Sequence, residues 1–131
     1  MAVSTITAVL PATVPAVWAR VTSLEQYQWR SDLGRIEVLN DRQFVEYTKN
    51  GYPTTFTITC SQPCKRWEFD MENGNMKGHW TGVFAEKDGK AEIRFTEEVV
   101  AKKVMMKPFV KAYLKKQQAQ YVADLRRALE R

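Results

Sequence analysis

The sequence predicts an α+β fold: a curved antiparallel sheet wrapped around a long C-terminal α-helix, with two short helices after the first strand. Three observations predict it. A strand-like opening, Val3–Leu10, runs into a short helical stretch. Alternating runs separated by turn residues then extend from Gly34 to about Val100. Finally, one long amphipathic pattern covers Lys107–Glu130. At 131 residues, positions 1–131 read as one domain able to bury one core.

Each element has a local cause. Thr13 is a suitable N-cap, and Val14, Val17, Trp18 and Val21 then form one apolar helical face. Pro15 is tolerated because N–H groups in the first turn have no intrahelical partner. Ser23-x-x-Gln26 reads as a capping box that opens a second short helix, ended by Ser31, Asp32 and Gly34. Ile36–Leu39 and Gln43–Lys49 read as strands. Asn50-Gly51 predicts a tight type I′ hairpin turn, with positive φ at both positions. Thr54, Phe56, Ile58 and Cys60 alternate with threonines, and Pro53 suggests an edge or a bulge. Trp67, Phe69 and Met71 alternate with acids, the pattern of a half-buried strand. Met76, Gly78, Trp80, Gly82 and Phe84 share one face of the next strand, where glycine permits bending and close approach of bulky neighbours. Lys87-Asp88-Gly89 turns the chain, and Ala91, Ile93, Phe95, Glu97 and Val99 line the last strand. Pro108 sits in the first turn of the final helix, whose predicted inner stripe is Val110, Leu114, Gln117, Tyr121, Leu125 and Leu129.

Composition narrows the function. The 44% hydrophobic and 27% charged content is that of an ordinary globular domain. No apolar run reaches the roughly 20 residues of a membrane span. The opening lacks a signal-peptide pattern, so a cytoplasmic location is expected. Cys60 and Cys64 have no partner pair and too few neighbouring ligands for zinc, so two reduced thiols are expected, with Cys60 in the core. The net charge of +5 gathers near the last helix, where Lys103, Lys107, Lys111 and Lys115 recur every four residues. That row reads as a solvated flank or as a weak contact for an anionic surface.

Strand, two short helices, meander and long helix together resemble the START-like superfamily, also called Bet v 1-like or SRPBCC. Within it, the chain is most similar to small bacterial proteins of polyketide cyclase/dehydrase and lipid-transport type. The residues that carry the resemblance are Pro11, Val14-Pro15, Val17-Trp18, Tyr27-Gln28-Trp29, Trp80-x-Gly82-x-Phe84 and Gly89…Ala91-x-Ile93-x-Phe95. The resemblance implies a helix-grip fold with a cavity between sheet and helix that takes lipids, sterols or polyketides.

By alternation, the sheet would offer Phe56, Ile58, Trp67, Phe69, Trp80, Phe84, Ile93 and Phe95 to such a cavity. The helix would add Phe109, Tyr113 and Gln117, and Trp29 would border the mouth. Apolar walls with a few directing polar groups suit a small ligand, and the same side chains also suit a packed core. Glu97 shares parity with Ile93 and Phe95. If it points inward, it is the best candidate for acid–base catalysis, with Tyr113 or another polar group as alternatives, whereas a strand end or bulge would leave it in water. Arg30 and Asp32 read as a surface ion pair or as contacts at the mouth. His79, the only histidine, falls on the opposite face, so it is expected on the surface. There is no Gly-rich phosphate loop, metal-ligand cluster or nucleophile triad, so no cofactor or metal is expected.

The leading functional reading is therefore a binder or carrier of a small hydrophobic or amphipathic molecule, not an enzyme. The alternatives are a cyclase- or dehydratase-type enzyme on a polyketide-like substrate and a co-chaperone-like interaction module. Nucleic acid is not an expected partner, because the aromatic residues alternate inward instead of interleaving with exposed basic ones. A monomer and a homodimer both fit.

Overall fold

Alternation of apolar and polar residues resolves into seven strands in the computed structural model, which describes residues 1–130. They are β1 (Ala2–Leu10), β2 (Arg35–Val38), β3 (Gln43–Tyr47), β4 (Pro53–Gln62), β5 (Arg66–Glu72), β6 (Met76–Lys87) and β7 (Lys90–Ala101). Helix α1 (Val14–Thr22) follows β1, and α2 (Lys107–Leu129) follows a single 3-10 turn, Val104–Met106. The strands form one antiparallel sheet in the order β1-β7-β6-β5-β4-β3-β2. Strands β2 to β7 thus run as a meander, and β1 closes the sheet beside β7. Helix α2 packs on β1 and β7, giving the helix-grip arrangement. Arg131, part of the basic excess, lies outside the described residues.

Two devices shape the sheet. A bulge between Ile58 and Cys60 shifts the β4–β5 register and bends the strand. At Gly82, an added Cβ would stand 2.5 Å from the Trp80 ring. Glycine there is what lets the indole lie along its own strand.

Two local predictions change in the folded chain. Asp88 and Gly89 have φ of 52° and 79°, so this hairpin carries the two-residue type I′ turn. The loop at Asn50-Gly51 does not, because only Gly51 has positive φ, 85°. Gly51 N–H donates to Thr48 O at 2.8 Å, and Thr48 N–H donates to Tyr52 O at 3.0 Å, which closes a wider loop. The second short helix is also absent. Ser23 Oγ accepts from Gln26 N–H at 3.0 Å, as a cap would, but residues 23–34 continue as turns. A single nucleated turn is unfavourable by itself. Here the tertiary bonds of Ser31 to α2 hold the segment in another path.

Helix α2 buries Val110, Leu114, Gln118, Val122 and Leu125. The face is rotated from the predicted stripe, so Gln118 enters the core and Gln117 and Tyr121 are only half-buried. Hydrogen bonding explains why an amide is tolerated there. Ser4 Oγ donates to Gln118 Oε1 at 2.7 Å, and Gln118 Nε2 donates to Ser4 O at 2.9 Å. Gln118→Ala leaves these buried partners unsatisfied and is expected to lower folding stability by about 1–3 kcal/mol in urea denaturation.

Candidate ligand cavity

The sheet, α2 and the segment after α1 enclose two adjoining chambers. The inner one, about 90 Å³, has an aromatic floor of Phe56, Trp67, Phe69, Trp80 and Phe95. These rings support one another: Phe69 stacks on Trp80 at 4.9 Å, and Phe44 stacks on Phe56 at 5.0 Å. The outer chamber, about 380 Å³, opens between the loop after β3 and the start of α2. Its rim includes Tyr52, Met106, Phe109 and Tyr113. Asp32, Glu46, Phe56, Met71, Glu97 and Gln117 line both chambers.

A polar cluster sits where the chambers meet. Arg30 Nη1 and Nη2 donate to the two Glu46 carboxylate oxygens at 2.8 and 3.0 Å, and Nη2 also reaches Asp32 at 3.1 Å. Burial alone would lower the Arg30 pKa, but the Glu46 charge and hydrogen bonds outweigh it and hold the guanidinium charged. Arg30 also lies 5.2 Å from the centre of the Tyr121 ring, whose hydroxyl burial pushes toward the neutral form. Glu97 points inward from β7. Burial pushes its pKa up to about 7, nearby Glu46 adds to this, and Arg30 opposes it. Only burial and the neighbouring charges set this value, with no hydrogen bond to the Glu97 carboxyl contributing.

The cluster is positioned from α2. Asp124, 1% exposed, accepts from Ser31 N–H at 2.8 Å and Ser31 Oγ at 2.7 Å. Gln120 and Arg127 hold its other oxygen. Burial would raise the Asp124 pKa, but the Ser31 bonds dominate and hold it below the ordinary value. A charged carboxylate in the helix thus anchors the loop that carries Arg30.

The predicted site residues divide cleanly. Trp67, Phe69, Trp80 and Phe95 line the inner chamber, Phe109 and Tyr113 the outer, and Phe56, Glu97 and Gln117 both. Trp29, Ile58, Phe84 and Ile93 line neither. Trp29 packs edge-on against Tyr121 at 5.3 Å, and Phe84 meets Trp18 at 5.1 Å. Ile93 is fully buried in the core, and Ile58 is half-buried beside the bulge. Phe84 and Ile93 are part of the core, and Trp29 and Ile58 pack half-buried against it.

Arg30 is not a surface residue. It pairs with Glu46, which the sequence reading did not select. Parity was the available signal, since Glu46 shares the inward phase of Phe44 on β3 just as Glu97 shares that of Phe95. His79 lies on the outer face, as its phase indicates, but is half-buried between two acids. Its ring nitrogens sit 2.7 Å from Asp70 and 2.7 Å from Glu68. Burial lowers its pKa, and the two carboxylates more than offset this and raise it. Cys60 and Cys64 are free thiols, and Cys60 is half-buried, not in the core. Among the described residues no cluster could hold a metal, and no helix is long and apolar enough to cross a membrane.

Comparison with known proteins supports this architecture. A START superfamily protein from Mycobacterium smegmatis superposes with TM-score 0.88 at 12% identity, covering 98% of this chain and 97% of that one. A conserved protein from Geobacillus kaustophilus gives 0.83 at 10%, covering 98% and 95%. DynU16, from the dynemicin biosynthetic locus, gives 0.80 at 16%, and this chain covers 48% of its length. These likenesses establish the fold. No curated protein sequence matches significantly. The family model described as polyketide cyclase/dehydrase and lipid transport matches residues 1–130, and the chain belongs to that family.

Proposed function

We propose that the protein binds and carries a small, largely apolar or amphipathic molecule in this cavity. The observation that carries the reading is the aromatic chamber joined to an opening of about 380 Å³, with a few polar side chains converging at the junction. Membership of a family that includes lipid transport supports it. The test is uptake of the neutral dye N-phenylnaphthylamine, followed by quenching of tryptophan emission from Trp67 and Trp80. Saturable quenching is expected for the natural chain. In Gln117→Trp, which places a large ring where the chambers meet, it is expected to weaken at least about tenfold. Quenching that is absent from the natural chain, or unchanged in this variant, overturns the reading.

A second reading rests on Glu97. A carboxyl inside a cavity, with a pKa of about 7 to which no hydrogen bond contributes, has the properties of a general acid–base. On this reading the ligand is a substrate of cyclase or dehydratase type, and Glu97 moves a proton on its carbon framework. Conversion of the bound molecule by the natural chain and not by Glu97→Gln would favour it over simple carriage.

A further inference from the structure

We infer that the junction of the chambers selects a ligand with a neutral oxygen head, a hydroxyl or a carbonyl, and rejects a carboxylate. This rests on the ligand-binding reading and narrows it. Three acids, Asp32, Glu46 and Glu97, line the junction against one cation, Arg30. Glu46 and Asp32 occupy the two terminal nitrogens of Arg30. Its Nε–H is buried and has no partner, the one such side-chain nitrogen or oxygen among the described residues. That nitrogen is closed to both chambers, so the head of a ligand meets the three acids and no free Arg30 donor. A neutral oxygen head adds no charge to this cluster, and a hydroxyl can donate to Glu97. A carboxylate head adds a further negative charge beside Glu46 and Glu97, a repulsion that discriminates against it.

The test compares decanol with decanoate as displacers of bound N-phenylnaphthylamine at about pH 8, where the decanoate head is ionised. Decanol is expected to displace the dye at least about tenfold more effectively. Water holds a carboxylate more strongly than a hydroxyl, so the ratio must also be shown to arise in the protein. Glu97→Gln removes one acid and is expected to shrink the ratio several-fold by strengthening decanoate. Equal displacement by the two compounds, or a ratio that Glu97→Gln leaves unchanged, overturns the head preference. Failure of the natural chain to take up dye at all is a different result, and it overturns the cavity reading itself.

A separate observation carries a second proposal: the geometry points to an anionic lipid bilayer as the surface on which the cavity mouth docks. Val104, Met105 and Phe109 are 74%, 87% and 70% exposed, an apolar knuckle at the start of α2. Lys103, Lys107 and Lys111 surround it, and no acidic residue occurs between Glu98 and Asp124. Lys107 and Lys111 also stand in the first turns of α2, where the helix dipole disfavours cations and no acid compensates. Lysines kept at the unfavourable end of a helix, around exposed apolar side chains, complement a negatively charged apolar surface. A second copy of the chain would bring the same cations face to face.

Sedimentation with vesicles tests this. Binding to phosphatidylcholine vesicles containing phosphatidylglycerol is expected to exceed binding to phosphatidylcholine alone by at least about tenfold and to fall with added salt. The Val104→Glu, Met105→Glu double variant changes neither a cavity-lining residue nor the core. It is expected to lose vesicle binding and keep dye uptake. Equal sedimentation with both vesicle types, or by natural and variant chains, overturns the proposal. So does a dimer in solution that the double variant dissolves, which would assign the knuckle to a second copy.

Discussion

Replacing Arg30 by methionine is expected to cost about 3–5 kcal/mol of folding stability. The side chains of Arg30 and Glu46 are only 13% and 17% exposed, and the substitution strands Glu46 beside Glu97 without a counter-charge. The cost is mainly that of an unpaired buried carboxylate, since the pair itself returns little once desolvation is counted. The double variant Arg30→Met, Glu46→Leu is therefore expected to recover most of the loss. Urea denaturation of the natural chain and both variants checks this. A double variant as unstable as the single one would mean that Arg30 holds the fold through packing and not through charge.

Glu97 makes stability depend on pH. Its carboxyl has a pKa of about 7 in the folded chain against an ordinary 4.5, so the folded state binds the proton more tightly. The contribution is complete below about pH 4.5 and is lost as pH rises through 7. The shift corresponds to a loss of up to about 3 kcal/mol. Arg30, Asp32, Glu46, Tyr47, Tyr52, Tyr113 and Tyr121 are the charged and titratable groups that line the chambers with Glu97. His79 on the outer face adds a separate loss of the same sign, because its pKa is also raised. The readout is therefore the difference between the natural chain and Glu97→Gln, measured by denaturation across this range. The variant is expected to lose the Glu97 share of the slope and to gain stability at the alkaline end. Parallel stability curves for the two chains would place Glu97 in water.

Much of this fold can be read from periodicity. Strand alternation and the long amphipathic helix follow from local sequence, and parity makes Glu97 an inward candidate without excluding a strand end or bulge. Features that depend on distant partners could not be read in this way. Gln117 and Gln118 are chemically identical, and only the Ser4 hydroxyl and backbone on β1 decide which enters the core. Arg30 is polar in sequence and buried in structure because Glu46 lies opposite it and Asp124 anchors the adjacent Ser31. The same anchoring replaces the helix that Ser23 begins to cap. Trp29 and Phe84 have the size expected of lining residues, but Tyr121 and Trp18 reach them first.

The central claim is that the cavity holds a molecule. Native mass spectrometry tests it most directly, on the protein as purified, after organic-solvent extraction, and after extracted protein is offered N-phenylnaphthylamine. The account predicts a discrete added mass that disappears on extraction, or an empty chain that then takes up one dye molecule. A bare chain mass under all three conditions would contradict it.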